Sequence, residues 1–237
     1  MTSRPLLYDF PTSPFCAKVR AALNLQGVAF DSVDATSPRA WLRLRREADG
    51  KVPALWLDGR LVADSTTIAL ALHARDAAHP LLPASPREHG LCLALTTWCD
   101  DVLYPLGLQY NWLDPAHGPA VRRRFPQGPV GLLMWHFYRR RIARQLRAHG
   151  LGRKTPAQHR QELDRQLEVA VTLLADHPFL LGEQPWLCDL ALFGQLRFLG
   201  FAPQARAALA ARPVLGDYVA RVKAAVGWRS AMRTPGR

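Results

Sequence analysis

Apolar and polar positions repeat with two different periods in the first third of the chain. Leu6–Tyr8 is a short apolar segment, and Ala29–Asp34 has the alternation of a half-buried strand. Between them, after Ser13-Pro14, apolar side chains recur at helical spacing over Ala17–Leu25. This pattern predicts a strand, a helix and a second strand.

The next segment predicts a helix and then a hairpin. Ser37-Pro38 is typical of a helix start, and the helix is expected to run to about Arg46. Ala54–Leu57 and Arg60–Ala63 flank Asp58-Gly59, the dipeptide favoured in a two-residue type I′ turn. With a helix after the hairpin, the order is βαβαββα. A crossover joins parallel strands and a hairpin joins antiparallel ones, so a mixed sheet is expected.

From residue 79 onward the pattern changes. Residues 79–86 contain three prolines and no periodicity, which predicts a linker between a domain at 1–78 and an all-helical domain at 87–237. Two sequences there have the form of a capping box with proline at the first helical position: Ser85-Pro86-Arg87-Glu88 and Thr155-Pro156-Ala157-Gln158. The predicted fold class is therefore α/β plus all-α.

The helix after the second capping box is amphipathic. Apolar residues occur on one face, and charged residues are expected largely away from it. The apolar set is Leu163, Leu167, Ala170, Val171 and Leu174, and the charged set is Arg160, Glu162, Arg165 and Glu168. This helix is predicted to pack on a core.

The composition is that of an ordinary globular protein. Of the 237 residues, 49% are hydrophobic and 21% charged, and no segment has the roughly 18 consecutive apolar residues of a membrane span. The N-terminus lacks the pattern of a secretory signal, so a cytoplasmic location is expected. The scattered cysteines and histidines match neither a disulfide framework nor a metal site, and no metal is expected: Cys16, Cys92, Cys99, Cys188, His136, His149 and His159.

Positive charge is concentrated in one segment. The formal net charge is +12, and residues 121–165 contain 12 basic and 2 acidic residues. Such a cluster binds nucleic acid, an anionic surface or an acidic partner, or it is a solvated arginine-rich helix face. Because no nucleic-acid-binding motif accompanies it, the solvated face is favoured and nucleic acid is not an expected partner. Arg122 to Arg124 and Arg139 to Arg141 also remain candidates for the entrance of a site for anionic substrates.

The sequence Ser13-Pro14-Phe15-Cys16 is the candidate chemical site of the first domain. A strand that leads into a helix N-terminus offers unpaired N–H groups and the positive end of the helix dipole to a thiolate. Serine at the first position excludes an internal disulfide with Cys16. Ser13 also has a purely structural interpretation as a helix N-cap, and Cys16 is more typical of a small buried apolar residue than of a nucleophile.

Nearly the whole chain resembles the soluble glutathione transferases, whose thioredoxin-like domain is matched by the first 80 residues and whose helical domain is matched by the rest. Lys51-Val52-Pro53 resembles the segment whose cis-proline positions backbone for the cysteinyl part of glutathione. Asp64-Ser65 resembles the pair that receives the γ-glutamyl end. Phe179–Asp189 resembles the folding motif before a buried helix.

The last of these motifs departs from the family pattern. Trp186 occupies the position where Ser or Thr usually forms a capping box with Asp189, and losing that cap costs about 0.5–2 kcal/mol unless packing of the tryptophan offsets it. The segments Arg144–Gly152 and Pro178–Gly182, with Thr155 between them, are more specifically similar to metaxins and failed-axon-connections proteins. The resemblance to this subgroup weakens the expectation of catalysis but not that of the fold.

The resemblance implies that glutathione is a cosubstrate and that the protein is a homodimer. It implies that Ser13 stabilises the glutathione thiolate, with Tyr8 as a second candidate. The expected glutathione-binding residues are Phe15, Lys51, Val52, Pro53, Asp64 and Ser65, and the expected hydrophobic-substrate residues are Trp98, Tyr104, Leu108 and Trp112.

Three functions remain open at this point. The first is conjugation of glutathione to a hydrophobic electrophile, as in the serine-type classes. The second is a non-catalytic binding module in which the basic segment 121–165 contacts a partner or an anionic surface. The third is glutathione-dependent thiol transfer through Cys16, similar to the omega-like relatives.

Overall fold

A four-stranded mixed sheet forms the first part of the protein. The computed structural model describes residues 4–123 and 125–228, so Arg124 lies outside the described residues. The strands occur in the order β2-β1-β3-β4, and β1 pairs in parallel with β2 and antiparallel with β3. Their bounds are β1 (Leu6–Asp9), β2 (Asp31–Asp34), β3 (Ala54–Leu57) and β4 (Arg60–Ala63). The predicted mixed sheet is confirmed.

The turn between β3 and β4 has the predicted geometry. Asp58 and Gly59 both have positive φ angles, 48° and 83°. A type I′ turn requires left-handed backbone at both central positions, which Asp and Gly adopt at low cost. The turn fixes the register in which Ala54 faces Ala63 and Leu57 faces Arg60.

Three helices accompany the sheet and complete the predicted βαβαββα order. They are α1 (Pro14–Leu25), α2 (Pro38–Glu47) and α3 (Ser65–Arg75). α2 begins at Pro38 as predicted, although the Ser37 side chain makes no capping hydrogen bond. α1 is buried from Cys16 to Leu23, including its two charged residues. It packs against α3.

The remainder of the described chain is helical, in agreement with the predicted fold class. The helices are α4 (Pro86–Trp98), α5 (Tyr104–Leu108), α6 (Gly118–Arg122), α7 (Pro129–His149), α8 (Pro156–Leu173), α9 (Leu187–Leu199), α10 (Pro203–Ala210) and α11 (Pro213–Ala225). The π-helical segments Cys99–Leu103 and Gln109–Leu113 flank α5, and a short 3₁₀ turn covers Leu151–Arg153. Within the described residues, no helix has the length and hydropathy needed to cross a bilayer.

The capping box at the start of α8 is confirmed. The Thr155 hydroxyl accepts the N–H of Gln158, whose side chain accepts the N–H of Thr155. One prediction for this helix is wrong, because Glu162 is buried rather than turned away from the core. Its carboxylate accepts hydrogen bonds from Lys154, Arg165 and Gln166, which compensate for the loss of water.

The described chain divides into two compact units. One contains the described parts of Met1–Thr96, His177–Gly194 and Tyr218–Arg237, and the other contains those of Thr97–Asp176 and Gln195–Asp217. The first unit therefore includes the sheet together with segments from the last quarter of the sequence. The sequence-based domain limits, with a linker at 79–86, stay a prediction.

Asp189 connects the two segments of the first unit that come from the last quarter of the sequence. Its carboxylate is fully buried and accepts the backbone N–H groups of Leu180 and Trp186 and the hydroxyl of Tyr218, each at 2.9 Å. Burial raises the pKa of Asp189, and the hydrogen bonds oppose that shift. The bond to Trp186 is the half of a capping box that does not need Ser or Thr, so part of the cap is retained at this departure from the family pattern.

Candidate functional site

Three loops leave the sheet at the same end. Tyr8 faces Ala54 in the antiparallel pairing of β1 with β3, and Ala54 faces Ala63 in the pairing of β3 with β4. The loop after β1, the residues before β3 and the residues after β4 consequently adjoin one another. The topology thus brings a set of sequence-predicted residues to this end of the sheet: Ser13, Lys51, Val52, Pro53, Asp64 and Ser65.

Ser13 is the N-cap of α1. Its backbone is extended, and its Oγ accepts the N–H of Cys16 at 3.2 Å. The N–H of Ser13 donates to the carbonyl of Phe10, which holds the loop against the end of β1. A hydroxyl that accepts through a lone pair still has its proton to donate, so capping and thiolate binding are compatible.

The segment before β3 has the backbone form that the family resemblance implies. The Val52–Pro53 peptide bond is cis. Pro53 is buried and Val52 half-buried, whereas Lys51 is exposed. The pairing of β3 with β1 places this segment beside the end of β1, from which the chain continues to Ser13.

Asp64 and Ser65 form the start of α3. The Asp64 Oδ1 accepts the N–H groups of Thr66 and Thr67 at 3.0 and 2.9 Å, so this carboxylate caps the helix. Asp64 has φ of 71°, and Ser65 is only 3% exposed. Because Asp64 takes the N–H groups of Thr66 and Thr67, the N–H and hydroxyl of Ser65 are the groups at this helix start that suit a ligand carboxylate.

Lys18 connects the starts of α1 and α3, and sequence reasoning missed it. It is 1% exposed, and its ammonium group donates to the Thr66 hydroxyl at 3.0 Å and lies 5.7 Å from the ring centroid of Phe15. A buried cation at this edge of the sheet favours an anionic ligand. One sequence feature could have pointed to Lys18: it is a charged residue within a predicted helix whose other positions are largely small and apolar.

Cys16 and Tyr8 are both buried. Cys16 is 0% exposed, and burial, followed by the nearby Asp9 carboxylate, raises the pKa of its thiol to about 12. Tyr8 is 4% exposed and belongs to an apolar cluster under α2. Its buried neighbours in the cluster are Ala35, Ala40, Leu44, Ala48 and Ala54.

A buried ion pair supports the loop that precedes Ser13, and sequence reasoning missed this as well. The carboxylate of Asp9, fully buried, lies 3.5 Å from the Arg20 guanidinium. Arg20 also donates to the carbonyl of Pro11 and stacks on Trp228, 4.6 Å from the ring centroid. Burial raises the pKa of Asp9, and the charge of Arg20 opposes the shift. The sequence feature that could have pointed to this ion pair is Asp9, an acidic residue at the end of a buried strand.

The predicted hydrophobic-substrate residues take part in packing within the second unit. Trp98 donates to the side chain of Gln166 at 2.8 Å, and Leu108 is 4% exposed. Tyr104 stacks on Phe198, with 5.9 Å between ring centroids, and burial raises the pKa of Tyr104. Trp112 belongs to an aromatic cluster with Phe125, Trp135 and Tyr138. Across the described ranges, no three His, Cys, Asp or Glu side chains come together as a metal site.

The comparisons with known proteins agree with this architecture. Residues 7–80 match the family described as glutathione S-transferase, N-terminal domain. The chain is 26% identical to an isoprene-epoxide glutathione S-transferase of Rhodococcus sp. (strain AD45), covering 89% of this chain and 91% of that protein. It is 25% identical to Failed axon connections of Drosophila melanogaster, covering 80% of this chain and 47% of that protein.

Solved structures show the same fold. A glutathione S-transferase of Methylobacterium radiotolerans, solved in complex with glutathione sulfonate, aligns with a TM-score of 0.66 at 21% identity, covering 99% of this chain and 97% of that one. The described chain has a small mixed sheet, with a cis-proline just before β3, and then a helical region. This is a thioredoxin-like fold with a helical extension. Residues 7–80 belong to the family of glutathione S-transferase N-terminal domains, and the described chain has the fold of glutathione S-transferases of known structure.

Proposed function

We propose that the protein is a glutathione transferase that conjugates the glutathione thiolate to a hydrophobic electrophile. The observation that carries this proposal is the convergence of Ser13, Val52-Pro53 and Ser65 at one end of the sheet. In this arrangement the Ser13 hydroxyl donates to the thiolate, the backbone near Val52 pairs with the cysteinyl part, and the start of α3 receives the γ-glutamyl carboxylate. The matched family and the similarity to the isoprene-epoxide glutathione S-transferase support the same activity.

The energetic demand on Ser13 is within the range of one hydrogen bond. A thiol of pKa near 8.5 needs about 2.7 kcal/mol of preferential thiolate stabilisation for a pKa about two units lower. A hydrogen bond to a charged group contributes about 1.5–3 kcal/mol, and a helix N-terminus about 0.3–1 kcal/mol. The hydroxyl and the start of α1 together meet the demand.

Thiol transfer through Cys16 is not favoured by its surroundings. The sulfur is fully buried, and a pKa of about 12 leaves almost none of it as the thiolate at neutral pH. The nearby Asp9 carboxylate opposes ionisation further. Tyr8 is likewise enclosed in the cluster under α2, so Ser13 is the proposed thiolate-stabilising residue.

A second candidate function is a binding scaffold without transferase activity. It is favoured by the similarity to Failed axon connections, whose name states no transferase activity, and by the basic segment 121–165. Retention on immobilised glutathione separates the two candidates, since the scaffold does not require glutathione.

The primary proposal also includes a homodimer in the cytoplasm. In it, the aromatic residues Tyr104 and Trp112 of the helical region are the proposed electrophile-binding residues.

The experiment compares Ser13→Ala and Ser13→Asp with the parent protein in a spectrophotometric conjugation assay with a chloronitrobenzene. Ser13→Asp keeps a capping oxygen for α1 but removes the hydroxyl donor and repels a thiolate. Both variants are expected to lose about tenfold to a hundredfold in kcat/KM, corresponding to one charged hydrogen bond.

Ser37→Ala is the matched control, because Ser37 also precedes a proline at a helix start but makes no capping hydrogen bond. Its kcat/KM is expected to equal that of the parent. Full activity in both Ser13 variants would remove Ser13 from the reaction. Loss of activity in Ser13→Ala alone, with Ser13→Asp fully active, would assign Ser13 to helix capping only.

A further inference from the structure

The loop from Phe10 to Ser13 determines where the Ser13 hydroxyl lies, and side chains of α1 hold that loop. The Phe10 N–H donates to the Cys16 Sγ at 3.4 Å, and the Pro11 carbonyl accepts a hydrogen bond from Arg20 at 3.4 Å. The Ser13 N–H donates in turn to the carbonyl of Phe10 at 2.9 Å. Because the proline ring already fixes φ, a bond to the Pro11 carbonyl restricts the rotation that remains at this residue. The bond from Arg20 thus constrains the backbone that leads to Ser13.

Arg20 is itself held from two directions within the same compact unit. Its side chain is 4% exposed, and its Nε lies 3.5 Å from the fully buried carboxylate of Asp9, the last residue of β1. The guanidinium also lies 4.6 Å from the ring centroid of Trp228, within the range of a cation–π contact. Contacts from both sides therefore hold the guanidinium where it donates to Pro11.

Stability alone does not account for this buried ion pair. Two buried charges are often no better for the folded state than apolar side chains of similar volume. A guanidinium has five N–H donors, yet among the described residues the hydrogen bond to Pro11 is the one that Arg20 makes. The buried arginine is therefore better explained by what that bond positions than by the stability it adds.

We propose that Arg20 is a positioning residue for Ser13. Through the Pro11 carbonyl it holds the Ser13 hydroxyl where that group donates to the glutathione thiolate. The inference rests on the proposed function, since it gives Arg20 a role in the same thiolate site. A misplacement of about 1 Å in a reacting group can cost about a hundredfold in rate. Arg20 is buried behind the loop, so it acts on the thiolate only through Ser13.

Two variants remove the hold on Pro11 without leaving an unpaired buried charge. Arg20→Lys keeps a cation beside Asp9, but one ammonium lacks the guanidinium fork that serves Asp9 and Pro11 together. Asp9→Asn/Arg20→Met removes both charges, and a neutral pair avoids the cost of an isolated buried ion. Circular dichroism verifies that each variant is folded.

The ionisation of bound glutathione is the property that these variants should change. Each should lower kcat/KM for conjugation of glutathione to a chloronitrobenzene by about tenfold, the effect of a weakened charged hydrogen bond. The pKa of the bound glutathione thiol, measured by thiolate absorbance, should rise by about one unit. The affinity for S-methylglutathione should change by less than about twofold, because this analogue has no thiol to ionise.

Combining Arg20→Lys with Ser13→Ala tests whether Arg20 acts through Ser13. Without the hydroxyl there is nothing left for Arg20 to position, so kcat/KM of the double variant should be less than about twofold below that of Ser13→Ala. Asp58→Asn/Arg75→Met is the control, because it removes an ion pair of the same unit at the opposite end of the sheet, with 3.0 Å between Nε and Oδ2. It should keep the kcat/KM and the thiol pKa of the parent.

Hydrogen exchange without ligand separates this inference from the proposed function. In Arg20→Lys, the N–H groups of Ser13 and Cys16 should exchange about tenfold faster than in the parent, while those of β3 and β4 should not change. A parent that neither binds nor conjugates glutathione refutes the proposed function, and the exchange rates then decide whether Arg20 positions Ser13.

Three results would overturn the positioning role. They are full kcat/KM and thiol pKa in both Arg20 variants of an active parent, an equally large loss in the Ser13→Ala background, and unchanged exchange of the Ser13 and Cys16 N–H groups. Equal weakening of S-methylglutathione and glutathione binding would instead assign Arg20 to the structure of the unit as a whole.

Discussion

Ser13 and Cys16 lie three residues apart and would support two different thiol chemistries, activation of a bound thiol and attack by the protein's own sulfur. Ser13 is half-buried at the first N-cap of the sheet unit, where its hydroxyl adjoins the helix start. Cys16 is one turn into α1, fully buried, with a raised thiol pKa. The side chain at the cap can reach a ligand, and the side chain one turn later cannot. The proposed chemistry is therefore activation of a bound thiol rather than attack by the protein's own sulfur.

Glu162 should make the stability of the protein depend on pH. Hydrogen bonds from Arg165, and also from Lys154 and Gln166, lower the pKa of Glu162 from 4.5 to about 2. Because the folded pKa is the lower one, the stabilisation is present above about pH 4.5 and is lost as the pH falls towards 2. Glu162→Gln should lower the free energy of unfolding by about 1–3 kcal/mol near neutral pH, with solvent around the exposed partners reducing the effect.

Urea unfolding near neutral pH and near pH 3 measures this effect. The difference between Glu162→Gln and the parent should shrink at the lower pH. Glu47→Gln is the control, because Glu47 pairs with Arg43 at an exposed position, with 40% and 43% of the two side chains accessible. It should change stability by less than about 0.5 kcal/mol. A penalty for Glu162→Gln that is the same at both pH values would refute the account of this carboxylate.

Individual residues were predictable from the sequence where a local rule applies. Ser13 before Pro14 is predicted as an N-cap, and the structure confirms that part of its role. Lys18, Arg20 and Glu162 were not predicted as buried, because periodicity assigns charged side chains to solvent. Their burial depends on partners distant in sequence, such as Thr66 for Lys18.

Helix α9 packs closely against the first turn of α1, next to Ser13. A Cβ added at Gly194 would lie 2.5 Å from the carbonyl oxygen of Pro14, which is backbone of the first turn of α1. Gly194→Ala should therefore displace the residues next to Ser13. We expect a loss of about 1–3 kcal/mol in the free energy of unfolding and weaker conjugation activity.

Gly90→Ala provides the control for this helix contact. Gly90 lies in the interior of α4, and no atom lies within 4 Å of the added Cβ. Alanine there should leave activity unchanged and raise stability by up to about 1 kcal/mol through helix propensity. Denaturant unfolding and the conjugation assay measure both variants. Gly194→Ala with the stability and activity of the parent would contradict a supporting role for α9.

At the scale of elements, the sheet region was more predictable than the helical region. Alternation and the Asp58-Gly59 turn specify the strands, and Ser-Pro or Thr-Pro pairs mark helix starts. The π-helical segments on both sides of α5 were not predicted. Pro105 lacks an N–H group and so interrupts the regular α-helical ladder there, but sequence rules do not specify how the flanking turns reorganise.

At the scale of the whole molecule, chain segments far apart in sequence complete the sheet unit. Asp189 joins Leu180 and Tyr218, and Trp228 covers Arg20 behind the loop that leads to Ser13. These contacts arise from tertiary packing, which local patterns do not encode. The uneven charge was visible in the sequence, but only the exposed side chains of α7 show that the basic segment adjoins an apolar surface.

Determining a crystal structure of the protein with bound glutathione is the measurement that tests the central claim most directly. The account predicts the ligand sulfur within hydrogen-bonding distance of the Ser13 Oγ, the cysteinyl backbone paired beside Val52, and the γ-glutamyl carboxylate at Ser65. Glutathione bound elsewhere, or a site that stays empty at saturating glutathione, would contradict it.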